Sequence, residues 1–121
     1  MQMTSEESQD YNKLTSKQKE SFGYYSRMHP NWSFKQVMAK VVLEEQGDIV
    51  IENGGTDVDP KDPSIWLTIL EGVKATLAKF KSIGRSIFIA IDSAITSLKG
   101  LIRMGIRKIG NTIDILLNKI F

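Results

Sequence analysis

Cysteine is absent from the 121 residues and histidine occurs once. Without cysteine there is no disulfide and no thiolate metal site, and with His29 alone neither a multi-histidine centre nor a Cys–His nucleophile can form. Long uncharged apolar runs are missing too. A membrane-spanning helix needs roughly 18 or more consecutive apolar residues, and the best candidate, residues 83–106, is interrupted by Arg85, Asp92, Lys99 and Arg103. Residues 1–21 are polar and acidic, with no apolar core of a secretory signal. A Gly-rich phosphate loop is not seen either, because Gly54-Gly55 lacks both the lysine and the strand-to-helix setting. Asp57, Asp59 and Asp62 are spaced like calcium-loop ligands, but Lys61 occupies the fifth position, the sixth is not glycine, and Thr68 stands where the bidentate Glu belongs. His29, just before Pro30, suits the C-terminal end of a helix dipole better than catalysis. The expectation is a non-enzymatic protein with no catalytic residue, metal or cofactor.

What is present is uneven. Apolar residues make up 41%, a little low for a self-sufficient core but above the level of disordered chains. Residues 1–63 carry 11 acidic and 7 basic side chains, a net −4, whereas residues 64–121 carry 3 acidic and 9 basic, a net +6. Such a split implies attraction within the chain, an anionic partner for the second half, or a solvated helix face.

Residues 1–14, rich in Ser, Glu, Gln and Asp, read as a mobile tail. Thr15-Ser16-Lys17-Gln18 fits a capping box that opens a helix, with Phe22, Tyr25 and Met28 on its apolar side and Pro30 ending it. Ser33-Phe34-Lys35-Gln36 is a second box, preceded by Trp32 as a staple toward Val37. The second helix is expected to run to Gln46, with Val37, Met38, Val41 and Val42 inward, Glu44-Glu45 solvated, and Gly47 as the residue past its end. Residues 15–47 thus form a helical hairpin, a small docking head. Residues 48–62 read as an acidic linker in which Ile49, Val50 and Ile51 could make a short edge strand. Asp62-Pro63 then opens a helix, as N-cap and N1.

From Trp66 onward one periodicity dominates. Leu70, Val73, Leu77, Phe80, Ile87, Ile91, Ile95, Leu98, Ile102, Ile106, Ile109, Ile113, Leu117 and Ile120 continue a stripe in which Gly84 is the one non-apolar position. The mean step is about 3.6 residues, the period of an undistorted α-helix. Lys74, Lys81, Arg85, Lys99, Arg103 and Arg107 line one flank, with Asp92 among them. The fold class expected is all-α: residues 63–121 as a long amphipathic helix, with Gly100, Gly105 or Gly110 as places where it can break. Unbroken, it would be roughly 85 Å long, too long for the preceding residues to cover. The stripe then needs copies of itself, a larger structural protein or an anionic membrane surface, unless the helix bends back; nucleic acid is less suited, because aromatic residues do not interleave with the basic flank.

The block 14–46, with its Phe22-Gly23-Tyr24-Tyr25 cluster and the junction His29-Pro30-Asn31-Trp32-Ser33-Phe34, resembles small structural proteins of crAss-like tailed bacteriophages. That resemblance covers about a quarter of the chain. It implies a virion component such as a minor capsid, portal-vertex or packaged protein; without it, a cytoplasmic interaction protein is expected.

Overall fold

A computed structural model of the chain describes residues 1–54 and 63–105, the side chains of 50–54 and 63 excepted. Five helices and no strand occur among these residues: α1 (Ser5–Asn12), α2 (Ser16–Met28), α3 (Phe34–Gly54), α4 (Pro63–Leu77) and α5 (Arg85–Arg103). The all-helical class follows from local signals. Thr15 accepts from the N–H of Gln18 at 3.1 Å while Gln18 Oε1 accepts from the N–H of Thr15 at 2.8 Å. Ser33 and Gln36 make the same reciprocal pair at the start of α3. Each box satisfies two backbone donors that a helix start otherwise leaves to water. α2 stops before Pro30, and the His29 ring stacks on Trp32 in the connection.

The segment expected to be a tail is a helix. Thr4 and Glu7 form a third capping box. Tyr11 packs edge-on against Phe22, Leu14 is buried, and Asp10 is fully buried. Polar composition alone suggested disorder, but a cap and three inward residues suffice once a surface is available to dock on.

α3 does not end at Gln46. It passes through Gly47 and on to Gly54, so residues 48–54 are helix rather than linker or edge strand; residues 55–62, including the Asp57 and Asp59 pair, lie outside the described residues. A helix-interior glycine costs about 1 kcal/mol relative to alanine, and packing between α3 and α4 outweighs it. Gln46 reaches over Gly72 to Thr76, where a side chain at 72 would meet the Gln46 amide.

The long C-terminal helix folds back. α4 and α5 are separated by residues 78–84, and the chain turns there with Lys79 N–H bonding Thr76 O, Phe80 N–H bonding Leu77 O, and Gly84 as the extended N-cap of α5. The stripe keeps its phase because a seven-residue connector replaces about two helical turns, and Ile83 and Phe80 within it still point inward. The driving force is burial: Ile69, Leu70, Val73 and Leu77 of α4 and Ile87, Ile91, Ala94, Ile95 and Leu98 of α5 close over Val37, Met38, Val41 and Val42 of α3 in one cluster. Each large aliphatic side chain buried this way contributes about 1.5–3 kcal/mol. The hairpin is therefore part of a common core and not a separate head. α5 is capped at Met104, and Gly105 adopts φ 79°, the left-handed geometry of a terminating glycine, while Gly100 sits inside the helix. Gly110 is outside the described residues. The helices pack in chain order, α2 on α3, α3 on α4 and α4 on α5.

Candidate interaction surface

The stripe divides once placed in the fold. Leu70, Val73, Leu77, Ile87, Ile91, Ile95 and Leu98 are buried in the chain's own core, and Trp66 and Phe80 are partly buried against it. These nine positions, expected to meet a partner, are occupied within the chain, because the turn at 78–84 lets one half of the stripe cover the other. Ile102 is past the end of that cover and is 37% exposed. Ile106, Ile109, Ile113, Leu117, Ile120 and Arg107 lie outside the described residues.

The surface left open on α5 is its other side. Arg85, Ile89, Asp92, Thr96, Lys99 and Arg103 follow one another at alternating steps of four and three, the helical spacing that keeps residues on one face, and all are exposed. Ile89 is 60% exposed, and Met104 at the end of the helix 74%. Asp92 is held by Lys74 of α4 at 2.6 Å, so the flank's one carboxylate is neutralised within the chain. Arg85, Lys99 and Arg103 pair with no described residue. Of the six basic residues expected on this flank, Arg85, Lys99 and Arg103 form the row, Lys74 serves the ion pair, and Lys81 lies in the turn, where its backbone N–H is engaged.

A second surface, not anticipated as a site, lies between α2 and α3. A groove of about 220 Å³ is bordered by Gln18, Ser21, Glu44, Glu45, Asp48 and Ile49, and it continues past Glu20, Tyr24 and Tyr25. Lys17 is the one cation among its lining residues. Glu45 accepts from the Gln18 amide at 2.6 Å, and Glu44 accepts from the Tyr25 hydroxyl. Burial, and then that bond to Glu44, push the Tyr25 phenol well above its ordinary range. Glu20 and Asp48 pair with no described residue. Ile49 (41% exposed) and Tyr24 (52%) stand on the rim. The signal for this groove was in the sequence, as Glu44-Glu45 and Asp48 on one helix, but it requires α2 alongside to become concave.

The third polar feature is structural. Asp10 Oδ1 and Oδ2 accept the N–H groups of Lys81 and Ser82 at 3.2 and 2.6 Å, tying α1 to the α4–α5 turn, with Lys13 Nζ at 3.5 Å. Burial alone would raise its pKa; the Ser82 hydroxyl, which lies nearby without completing a hydrogen bond, the two backbone donors and the Lys13 charge together hold it below the usual value. Among the described residues no group of three or more His, Cys, Asp or Glu is arranged to hold a metal ion, and no helix is long and apolar enough to cross a membrane. No family model, curated protein or solved structure matches this chain.

Proposed function

We propose that the protein is a non-catalytic structural component that joins a larger assembly, with copies of itself or with a bigger structural protein, through the outer face of α5. The observation that carries this reading is the exposure of Ile89 in one row with Arg85, Lys99 and Arg103, which pair with no described residue. Ile102, where the stripe outruns its cover, and Met104, just past the helix, are exposed beside the end of that row. An exposed aliphatic side chain set within a row of charges, with two more apolar residues exposed at the helix end, offers a surface for contact rimmed by charge. In the sequence, apolar spacing goes on beyond that point at Ile106, Ile109, Ile113, Leu117 and Ile120. Together with the resemblance of residues 14–46 to small phage structural proteins, this favours a virion component. An anionic bilayer is less well served, since interfacial binding draws on a wide apolar face, and the widest such face of α5 is packed on α4.

Cross-linking the native protein in its own cells or particles with a lysine-reactive reagent tests the reading. Lys99, on the outer face, should give links to another polypeptide. If Lys99 links only within its own chain, the reading fails.

A further inference from the structure

The two open surfaces match each other. The α2–α3 groove carries Glu20, Glu44, Glu45 and Asp48 against Lys17 in its lining and Lys40 over the Tyr25 ring, and the α5 row offers Arg85, Lys99 and Arg103 with its one carboxylate tied to Lys74. Glu44 and Asp48 are four residues apart on α3, as Lys99 and Arg103 are on α5, so both pairs span one helical turn of roughly 6 Å. Each surface also carries exposed apolar residues, Ile49 and Tyr24 at the groove and Ile89 on the row. Within one chain the two are kept apart: α5 packs on α4, and α2 on α3. The −4 and +6 halves of the sequence therefore do not discharge against each other through these faces.

From this complementarity we infer that the occupant of the groove is the α5 face of a second copy. Lys99 and Arg103 lie against Glu44 and Asp48, while Ile89 and Arg85, about 15 and 21 Å further along the helix, extend beyond the stretch that Glu20 and Glu44 share. The inference deepens the assembly reading, on which it rests, by naming the partner. The contact is heterologous, since each copy uses a different surface to give and to receive, and such contacts propagate into rings or open filaments instead of stopping at a two-fold dimer. Because the charges are exposed, the contact is screened by salt.

Sedimentation velocity on the full chain tests it. Between about 20 mM and about 0.5 M NaCl, self-association should weaken about tenfold or more. Two neutralised variants separate the faces: Arg85→Gln with Lys99→Gln and Arg103→Gln, and Glu20→Gln with Glu44→Gln and Asp48→Asn. All six positions are exposed, so each variant should keep the wild-type circular dichroism; if either does not, Lys99→Gln and Asp48→Asn alone serve in its place. Each variant by itself should sediment as a monomer. Their mixture should form a one-to-one dimer that grows no further, because it contains one intact groove and one intact row per pair. A wild-type chain that stays monomeric at low salt overturns the inference, and so does association indifferent to salt and to both variants. A monomer that binds phosphatidylglycerol vesicles, and loses that binding with the Arg85, Lys99 and Arg103 changes, overturns it in favour of a bilayer. In the first two cases, links from Lys99 to a different protein would leave the assembly reading standing.

Discussion

Replacing Asp10 with alanine tests the account of how the N-terminal helix holds the C-terminal corner. The Asp10 side chain is fully buried and is bonded to two backbone donors 71 and 72 residues away. A hydrogen bond to a charged acceptor contributes about 1.5–3 kcal/mol, and a donor left unsatisfied costs about 1–3 kcal/mol. Lys81 is exposed, so its freed N–H can turn to water; Ser82 is only half-buried, and its 2.6 Å bond is the one that counts. The expected loss is therefore about 2–3 kcal/mol at neutral pH, read by urea unfolding. Lys13 contributes little, being half-exposed and 3.5 Å away; a double-mutant cycle between Asp10 and Lys13 should give under about 0.5 kcal/mol. The pH dependence has a definite sign. The folded-state pKa lies below the ordinary carboxylate value of 3.8, so the unfolded chain takes up its proton first as pH falls. The stabilisation is complete above that value and drains away below it, and Asp10→Asn should remove this component of acid sensitivity. A loss under about 0.5 kcal/mol for Asp10→Ala, against the ~1–3 kcal/mol of an orphaned donor, would refute the reasoning and leave α1 held by Tyr11 and Leu14 alone.

Further expectations follow from burial and geometry. Ile91 has no exposed surface, so Ile91→Asp should cost roughly 3–5 kcal/mol by burying an unpaired charge, seen as loss of cooperative thermal unfolding of the whole chain and not merely of α5. Gly47→Ala should stabilise α3 by up to about 1 kcal/mol, since a Cβ there meets nothing within 4 Å; a lower melting temperature would contradict this. Lys74→Ala breaks the 2.6 Å pair with Asp92, but both side chains are about half-exposed, so chemical denaturation should register less than about 1 kcal/mol.

Local chemistry was the readable part of this chain. The boxes at Thr15 and Ser33 are complete within four residues, so the starts of α2 and α3 could be placed without tertiary knowledge. The box at Thr4 is equally local and was masked by the polar residues around it. Gly47 sends the opposite signal: alone it marks a helix end, and only contact with α4 carries the helix past it. Periodicity told which side of α4 and α5 is apolar, but not what covers it, since a stripe looks the same whether its partner is another chain or its own continuation. The corner at 78–84 was hidden for the same reason. Its single local trace is Gly84, the one interruption of the stripe, and its chief anchor, Asp10, lies more than seventy positions away. The acidic groove shares this limit, because its residues come from two helices whose alignment is a property of the fold.

The seven-residue corner that preserves the stripe's phase has a further consequence for how copies of this chain can entangle. Were the corner straightened, α4 and α5 would merge into a rod that still shows all its apolar residues on one side. Two such rods, each lending its α5 to the other's α4, would rebuild the α4–α5 contacts of the closed form between molecules. The exchange forfeits the Asp10 tether, the packing of Phe80 and Ile83 in the corner, and about 1 kcal/mol for one glycine in a helix. The tether of Asp10 to Lys81 and Ser82 therefore guards the closed form against exchange between copies, and its loss should raise the share of swapped chains at high concentration.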